Sequence, residues 1–354
     1  MYSPKFTITS RINTQIAEIE RLRVTIERSR VLPSKELVLR KRASIEATRS
    51  STGIEGNPLN IRDVERVLSG QKVIASDRFI TEVINYKKSL NFIEKKAQGN
   101  KPLSSKDTLA IHNVVMKDLL PKNKTGVFRK TPIYILDLDG DKEIVRYTGP
   151  EPKIVQSCVE ELFEWVDGDT KNLHPLLVAG ILHYEFVSIH PFSDGNGRVT
   201  RLLTLLYLYQ SGYAFRKVLV PDSYYFANRQ NYYNSLNRAR GYNDQRNADI
   251  TPWLEYFITG IHEVVKNISQ KITSVSLANG GREIVTLTED DYQIIDFIST
   301  LGRVTIDEIV SAIKVSKRTV QRRILRLVNT GILARVGKGP STRYKIKINR
   351  AMIK

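Results

Sequence analysis

The stretch from residue 190 to residue 201 constrains this chain more than any other. Residues 190–198 read His-Pro-Phe-Ser-Asp-Gly-Asn-Gly-Arg, and a second arginine, Arg201, follows three residues later. An apolar stripe at helical spacing precedes the stretch, at Leu173, Leu176, Leu177, Gly180, Ile181 and Tyr184. A second stripe follows it, at Val199, Leu202, Leu203, Leu206 and Tyr209. This pattern predicts a short loop between two buried helices.

The centre of this loop is suited to bind an anion. Gly195, Asn196 and Gly197 allow backbone N–H groups to converge at the positive end of the following helix. Arg198 and Arg201 lie in the first turns of that helix, where a cation opposes the helix dipole. Their placement is favourable when an anion lies between them, and a nucleotide polyphosphate is the natural candidate.

Two further residues of the loop supply chemistry. His190, as a neutral imidazole at pH 7, is able to accept a proton from an attacking hydroxyl. Asp194 offers a hard oxygen ligand for Mg²⁺ shared with phosphates. A base, a metal carboxylate, an anion site and two arginines are the components of phosphoryl or nucleotidyl transfer. The alternative is a glycine-rich turn with incidental charges, which requires neither nine residues in this order nor a second arginine.

These residues resemble the signature of a known family. Residues 190–201 match the pattern H-x-F-x-(D/E)-G-N-G-R-x-x-R of the Fic-domain family position by position. Its members are helical enzymes, and most of them transfer AMP from ATP to a Ser, Thr or Tyr hydroxyl of a protein. The resemblance covers residues 1 to about 275. It implies a mainly α fold with a Fic helical domain, ATP as substrate and Mg²⁺ as cofactor.

The resemblance also assigns a role to each residue of the motif. His190 would deprotonate the target hydroxyl, which attacks the α-phosphate, and Asp194 would hold Mg²⁺ on the α- and β-phosphates. Arg198 would neutralise charge on the β/γ side, and Arg201 would bind the γ-phosphate or an inhibitory carboxylate. The phosphates would be cradled by Gly195, Asn196 and Gly197.

A second family pattern lies upstream. In the family, an inhibitory helix ends in (S/T)-x-x-x-E-(G/N), and Ser51, Glu55 and Gly56 match it in a class II-like arrangement, before the motif. A carboxylate that pairs with Arg201 would displace or misplace the terminal phosphate of ATP. We therefore predict that Glu55 inhibits the site, the alternative being an ordinary helix-capping glutamate.

A β-hairpin is predicted between these two regions. Residues 133–138 and 143–147 are rich in β-branched and aromatic side chains and flank Asp139-Gly140, a hairpin turn signal. Residues 126–129 resemble the G-x-(F/Y)-R element that precedes the flap of the family. There the flap pairs with the target by backbone hydrogen bonds. A target protein with an exposed hydroxyl residue is therefore expected to dock on residues 133–147, unless the hairpin is purely structural.

The C-terminal region is distinguished by its charge. The 354 residues carry a net charge of +18, and residues 314–354 contain 13 basic residues and no acidic one. Such asymmetry favours a nucleic-acid partner. The pattern predicts a winged helix-turn-helix domain. It consists of helices at 288–300, 305–313 and 316–329, the last capped by Ser316, and of strands near 332–336 and 342–348. Its wing, with Lys338 and Arg343, would contact DNA phosphates. A solubilising tail and a protein-interaction module are the alternatives.

The rest of the chain is predicted to be helical. We expect three domains: 1–100, an N-terminal helical region with the inhibitory helix; 101–275, the catalytic domain; and 282–354, the winged helix. Further helices are predicted at 8–31, 34–49 (capped by Ser34), 61–68, 77–96, 104–120, 151–166, 228–240 and 253–274. We interpret four other histidines as structural: His112, His174, His183 and His262. A cluster of tyrosines near the 228–240 helix is interpreted mostly as core: Tyr224, Tyr225, Tyr232, Tyr233 and Tyr242.

Localisation and partners follow from what the sequence contains. A single cysteine, Cys158, excludes an intramolecular disulfide and fits a reducing compartment. Neither a secretory leader nor a membrane span is visible, so we expect a soluble cytoplasmic protein. We also expect it to form a homodimer.

The sequence therefore predicts a protein adenylyltransferase inhibited by Glu55, with a DNA-binding winged helix. Related enzymes use other nucleotide donors or phosphocholine, and some remove AMP with the inhibitory glutamate as base. The rival hypothesis is a DNA-binding transcriptional regulator whose nucleotide site only senses.

Overall fold

The structure, a computed structural model, describes residues 2–99, 101–139, 142–168, 170, 172–277, 287–313, 315–337, 339 and 342–347. It is mainly helical and contains two antiparallel sheets of two strands each. Contacts divide the chain into two compact units. The first comprises Met1–Ser29, Arg40–Val67 and Lys72–Thr273, and the second comprises Arg30–Leu39, Leu68–Gln71 and the described part of Ser274–Lys354.

The N-terminal helices are α1 (Ser10–Arg28), α2 (Pro33–Ile54), α3 (Ile61–Leu68), α4 (Asp77–Ala97) and α5 (Ser105–Val115). Helix α2 differs from the prediction at both ends. It begins at Pro33, so Ser34 is not its cap, because proline is pre-organised for the first helical position. It continues to Ile54, through the Ser- and Gly-containing stretch that was predicted to end it. The chain leaves the helix at Gly56, where φ is +94°, a left-handed conformation that glycine adopts without strain.

Helix α5 and the hairpin follow. A reciprocal capping box between Ser104 and Asp107 starts α5 where it was predicted, but the helix ends at Val115 rather than near residue 120. Strands β1 (Tyr134–Asp139) and β2 (Lys142–Thr148) then pair antiparallel, with a register shift between Ile135 and Leu136. The predicted hairpin is confirmed.

The core of the first unit lies around two consecutive helices. After α6 (Val155–Gly168), helix α7 (Pro175–Ile189) is apolar and buried on nearly every side, as a central helix must be. Helix α8 (Asn196–Gln210) packs against α7 and also against α4 and α5. The two predicted apolar stripes thus lie on adjacent core helices, and the loop between them carries the motif.

Four helices complete the first unit: α9 (Pro221–Ala227), α10 (Arg229–Leu236), α11 (Tyr242–Arg246) and α12 (Thr251–Leu277). The predicted helix 228–240 is shorter than expected, and α10 ends at Leu236. On α12, Trp253 donates its indole N–H to the Gly180 carbonyl at 2.8 Å, which joins this helix to the centre of α7. Among the described residues, no helix has both the length and the apolarity needed to cross a bilayer.

The second unit contains α13 (Glu289–Leu301), α14 (Ile306–Ile313), α15 (Lys317–Asn329), β3 (Leu333–Val336) and β4 (Arg343–Ile346). The Ser316 hydroxyl caps α15 by accepting the Thr319 N–H at 3.3 Å, as predicted. The apolar face of α15 is buried at Val320, Ile324 and Leu327.

The basic residues of α15 do not all face solvent, as a helix that used every one of them to bind DNA would require. Arg323 points inward and pairs with Asp290 at 2.5 Å and with Asp291 at 3.2 Å. It does so because these carboxylates belong to the N-terminal turn of α13, where Asp291 also forms a capping box with Thr288. Lys338, predicted on the wing, lies outside the described residues.

Candidate active site

His190 is the C-cap residue of α7 and has left-handed backbone angles, φ 50° and ψ 59°. A non-glycine residue in this conformation costs about 1–2 kcal/mol, so neighbouring contacts must hold it there. One such contact is its own N–H, which donates to the Phe186 carbonyl at 3.2 Å. The consequence is a sharp exit from the core helix that places the imidazole at the head of the motif loop.

Arg129 supplies most of the remaining support. It is 5% exposed, and its guanidinium donates to the carbonyl oxygens of His190 at 2.8 Å, Thr131 at 2.9 Å and Pro150 at 2.7 Å. A weaker contact reaches the Ile189 carbonyl at 3.4 Å. A cation at the negative end of α7 is electrostatically favourable. The G-x-(F/Y)-R element of the sequence therefore fixes the backbone at His190.

The tautomer of His190 follows from its neighbour. Nδ1 lies 3.0 Å from the Val187 carbonyl, which can only accept, so Nδ1 carries the proton and Nε2 keeps its lone pair. Burial lowers the pKa of His190 below its ordinary value of 6.5, although the Val187 contact and the Glu55 charge work in the opposite direction. The imidazole is therefore neutral near pH 7 and has an open basic nitrogen.

His112, interpreted as a structural residue, lies at the motif loop. Its Nδ1 accepts the Gly126 N–H at 2.8 Å, so its Nε2 must donate to the Asp194 carbonyl at 3.1 Å. The ring stacks on Phe192 with centroids 3.9 Å apart. Burial lowers the pKa of His112 to about 4, so the ring stays neutral and serves as a fixed linker. No local pattern in the sequence distinguishes this histidine.

The side chain of Asn196 has a structural role, about which the sequence makes no prediction. Its amide accepts the Phe192 N–H and donates to the Phe192 carbonyl, both at 2.8 Å. The side chain therefore closes the loop on itself and is not available to a phosphate. The anion-binding capacity remains with the backbone, because the first N–H groups of α8 have no acceptor within the helix.

Asp194 is the candidate metal ligand. Its carboxylate lies 3.1 Å from Arg78 and 3.3 Å from Arg198, and its side chain is 36% exposed. Within the described residues, no group of three or more His, Cys, Asp or Glu side chains is arranged to hold a metal. Mg²⁺ commonly binds through one or two carboxylates together with substrate phosphates and waters. The single carboxylate therefore fits a Mg²⁺ ion that arrives with a nucleotide.

The two arginines of the motif have different surroundings. Arg198 is 2% exposed, and its Nε and Nη1 have no hydrogen-bond partner among the described residues. Arg201 is 3% exposed, and its Nε and Nη2 groups are engaged by protein atoms. It donates to the Ser51 hydroxyl at 2.8 Å, to the Ser51 carbonyl at 3.0 Å and to Glu55 at 2.8 Å. One buried guanidinium thus retains unused donors, while the other is occupied by the end of α2.

Glu55 approaches the motif closely. A Cβ atom on Gly197 would lie 2.3 Å from Glu55 Oε1 and 2.9 Å from Arg201 Nη1, so a larger residue there would require the ion pair to shift. Burial raises the pKa of Glu55, but the Arg201 and Arg198 guanidinium groups outweigh it, and the pKa lies below its ordinary value. The carboxylate is therefore ionised at neutral pH and competes with any other anion for Arg201.

Asp222 is a second partner of Arg201 that the sequence did not reveal. Its carboxylate is 3% exposed and lies 3.1 Å from Arg201 Nε, and it accepts the Tyr86 hydroxyl at 3.2 Å. A buried guanidinium is stable only with a counter-charge. Asp222 provides one that does not depend on Glu55.

Most of the tyrosines near the motif belong to the core, as predicted. Tyr225, Tyr232 and Tyr242 are each at most 5% exposed, and the rings of Tyr225 and Tyr232 stack 4.8 Å apart. The Tyr232 hydroxyl also meets His183 at 2.9 Å. His183 is buried at this contact, which agrees with its structural interpretation.

Comparison with known proteins shows which families and proteins the chain resembles. Residues 102–208 match the model of the Fic/DOC family. A protein adenylyltransferase of Caenorhabditis elegans is 28% identical over 248 residues, which is 68% of this chain and 44% of that protein. One from Nematostella vectensis is 26% identical over 229 residues, 64% of this chain and 48% of that protein. The chain thus matches just under half the length of these curated relatives.

Solved structures extend the likeness over the whole chain. A Fic family protein from Desulfovibrio desulfuricans is 26% identical, covers 98% of this chain and 99% of its own, and superposes with a TM-score of 0.64. A Fic domain protein from Bacteroides thetaiotaomicron, 23% identical, covers 77% of this chain and 100% of its own with a TM-score of 0.62 and shares the fold. Residues 102–208 thus match the Fic/DOC family model, and the chain is similar in sequence to curated protein adenylyltransferases.

Proposed function

We propose that this protein transfers AMP from ATP to a Ser, Thr or Tyr hydroxyl of a protein. The observation that carries the proposal is the placement of three groups on one loop and helix: the neutral His190 imidazole, the free N–H groups that begin α8, and the buried Arg198 guanidinium with unused donors. Together they offer a base beside a site for a polyphosphate. The curated relatives, named protein adenylyltransferases, support the same reaction.

The chemistry follows from these residues. His190 Nε2 takes the proton of the target hydroxyl, whose oxygen attacks the α-phosphorus. The bond between the α-phosphorus and the bridging oxygen breaks, and pyrophosphate leaves. The first-turn N–H groups of α8 and the Arg198 guanidinium hold the phosphates in line, which is where most catalysis of phosphoryl-type transfer arises. Asp194 would hold Mg²⁺, which supplies charge neutralisation on the phosphates when bound.

We also propose that Glu55 inhibits this reaction. Its ion pair with Arg201 at 2.8 Å occupies the guanidinium that would otherwise receive the γ-phosphate. The Ser51 contacts to the same arginine fix the end of α2 in that position. ATP that binds alongside would have its α-phosphate turned away from the attacking hydroxyl.

The hairpin is the proposed docking element for the target. Strands β1 and β2 expose apolar side chains at Tyr134, Leu136, Ile144 and Val145, each at least 42% accessible. Exposed strands of this kind bind an extended segment through backbone hydrogen bonds. The segment would present its hydroxyl residue to His190.

A labelling experiment tests the proposed reaction. The purified protein carrying Glu55→Gly, which removes the proposed inhibition, is incubated with ATP labelled on either the α- or the γ-phosphate, in the presence of Mg²⁺ and a cell extract as a source of targets. Label that the extract incorporates by itself is subtracted. We expect covalent label on protein only from the α position. Label from the γ position would indicate a kinase, and no label from either would contradict transfer. Parallel reactions with other nucleotides and with an AMP-modified protein test the alternatives of a different donor and of AMP removal.

A second function, DNA binding by the second unit, is favoured by a specific observation. The order of three helices and a two-stranded sheet in residues 287–347 fits a winged helix-turn-helix, with α15 as recognition helix. On α15, Arg318 and Arg322 are exposed and lie one turn apart. We propose that they contact phosphates of duplex DNA, which would make the protein a regulator as well as, or in place of, an enzyme.

This proposal predicts a salt-dependent loss. Replacing Arg318 and Arg322 by alanine should weaken duplex binding about tenfold or more, and the slope of log affinity against log salt should fall by about 1 per lost phosphate contact. Fluorescence anisotropy with a labelled duplex measures both. The matched control removes two exposed lysines of the first unit, Lys122 and Lys124, and should leave affinity unchanged. If both double variants lose DNA affinity equally, the loss reflects only the net charge of the protein. That result would contradict a specific DNA-binding surface on α15.

A further inference from the structure

We propose that Glu82 is a positioning residue for Arg198, holding its guanidinium in the orientation that receives the β- and γ-phosphates. The inference rests on the proposed nucleotide site and adds a residue to it. Glu82 lies on α4, more than a hundred positions before the motif, and is 6% exposed. A carboxylate so deeply buried requires charged or hydrogen-bonding partners.

The partners of Glu82 are divided between its two oxygens. Oε1 lies 3.5 Å from Arg198 Nη1 and 3.4 Å from Arg78 Nε. Oε2 accepts the Asn57 side-chain N–H at 2.9 Å. Asn57 is itself fixed, because it also donates to the Phe79 carbonyl at 3.1 Å and accepts the Leu59 N–H at 3.1 Å. Glu82 is thus held rigidly on one side and faces guanidinium groups on the other.

This geometry suits an electrostatic anchor. At 3.5 Å the contact between Glu82 and Arg198 is an ion pair whose geometry does not make a hydrogen bond, so the Nη1 donor stays available. The anchor therefore orients the guanidinium and keeps it charged without using the N–H groups that a phosphate needs. Arg201, by comparison, spends its donors on Ser51 and Glu55.

Asp194 cannot orient the Arg198 guanidinium in the same way. Among the described residues, it is the other carboxylate within ion-pair distance of Arg198, at 3.3 Å, but its side chain is 36% exposed, against 7% for Glu82. It also pairs with Arg78, and it is the proposed metal ligand. A carboxylate engaged by a metal is a poor partner for a guanidinium. Glu82 is then the counter-charge that remains beside Arg198 when nucleotide is bound.

A double-mutant cycle on binding tests the proposal without relying on catalysis. The parent is Glu55→Gly, so that the inhibitory carboxylate is absent, and the probe is α,β-methylene-ATP, which cannot transfer AMP. Calorimetry measures the dissociation constants of the parent, Arg198→Ala, Glu82→Gln and the combination. Removing Arg198 should weaken binding about tenfold or more, as expected for a lost charge-assisted contact.

The informative result is whether Glu82→Gln weakens or tightens binding of the ATP analogue. Loss of a negative charge beside the phosphates would by itself tighten binding, whereas loss of the anchor weakens it. We expect weakening of about tenfold, and almost no further loss when Arg198→Ala is added. AMP, which lacks β- and γ-phosphates, should bind all four proteins alike. Tighter or unchanged binding of the analogue, or additive losses, would overturn the proposal.

Controls separate this outcome from others. Glu94→Gln removes a carboxylate from the same helix, where its partner is Lys217 at 3.7 Å, and should not change binding. If Glu82→Gln fails to fold, Glu82→Asp keeps the charge but withdraws it by one methylene, and it should also weaken binding. Parental binding by that variant would refute the anchor. If the Glu55→Gly parent binds the analogue but labels no protein, the proposed transfer is contradicted. The double-mutant cycle on binding still tests the role of Glu82 in that case. A parent that does not bind the analogue overturns both.

Discussion

Glu55→Gly is expected to raise the labelling of protein by ATP about 100-fold or more. The estimate rests on positioning, which accounts for several kcal/mol of a transfer barrier when reacting groups are correctly aligned. In the intact protein the Glu55 carboxylate holds Arg201 at 2.8 Å, so the γ-phosphate has no guanidinium at that point. Removing the carboxylate frees Arg201, and the triphosphate is drawn into line with the attacking hydroxyl.

Two further variants show whether the charge is responsible. Glu55→Gln keeps the side-chain length and the backbone but loses the charge, so it should also activate the enzyme. If the effect of Glu55→Gly came from the flexibility of glycine, Glu55→Gln would not activate. Combining Glu55→Gly with Arg201→Ala should give no more activity than Arg201→Ala alone. The readout is the initial rate of incorporation from ATP labelled on the α-phosphate.

Other outcomes would assign Glu55 differently. If labelling is unchanged in Glu55→Gly, the residue is a structural cap of α2 and the inhibition proposal is wrong. A reduced rate also contradicts inhibition. The alternative, Glu55 as the base of an AMP-removing reaction, needs its own assay, because loss of that reaction would by itself raise net labelling. Measuring the release of AMP from a modified protein, with and without the variant, distinguishes that reaction from a structural role.

His190→Ala is expected to lower transfer about 10²–10⁴-fold, the usual contribution of a general base. The variant should be made in the Glu55→Gly background, where the rate is high enough to measure the loss. Nucleotide affinity and the melting temperature should stay close to those of the parent, because within the described part of the chain the imidazole makes a single hydrogen bond, to the Val187 carbonyl. Near-parental labelling by the alanine variant would show that another group accepts the proton.

A matched histidine and a pH profile sharpen this test. His174→Ala removes a partly exposed imidazole at the opposite end of α7, where it contacts Tyr213 and Glu20 and accepts the Leu176 N–H at 3.3 Å. The variant should leave the rate unchanged, since none of these partners belongs to the motif. In the parent, the rate should fall as pH decreases, because a protonated imidazole cannot accept a proton. Since burial lowers the pKa of His190, this decline should have its midpoint below the ordinary histidine value of 6.5.

The sequence by itself determined the elements that depend on local interactions. The apolar stripes placed α7 and α8 around the motif, and the turn signal between two β-branched runs placed β1 and β2. Both follow from periodicity and backbone preference over a few residues. Helix ends were less certain. Helix α2 runs through Gly53 to Ile54 because tertiary contacts around Ser51 and Arg201 hold its last turn, against the local preference to stop.

Only the tertiary structure decided which distant groups surround the motif. Glu82, His112, Arg129 and Asp222 come from separate elements, yet each contacts a residue of the loop or of the first turns of α8. Arg129 belongs to the G-x-(F/Y)-R element, but that pattern does not predict its contact with His190. Glu82, His112 and Asp222 are single polar residues, and no periodicity or spacing distinguishes them from the other polar residues of a chain with 26% charged side chains. Their importance comes from burial, because a carboxylate or guanidinium is strongly coupled to a neighbouring charge only where water is excluded. Burial at this loop is created by packing helices α4, α5, α7 and α8 together, and no local pattern encodes it.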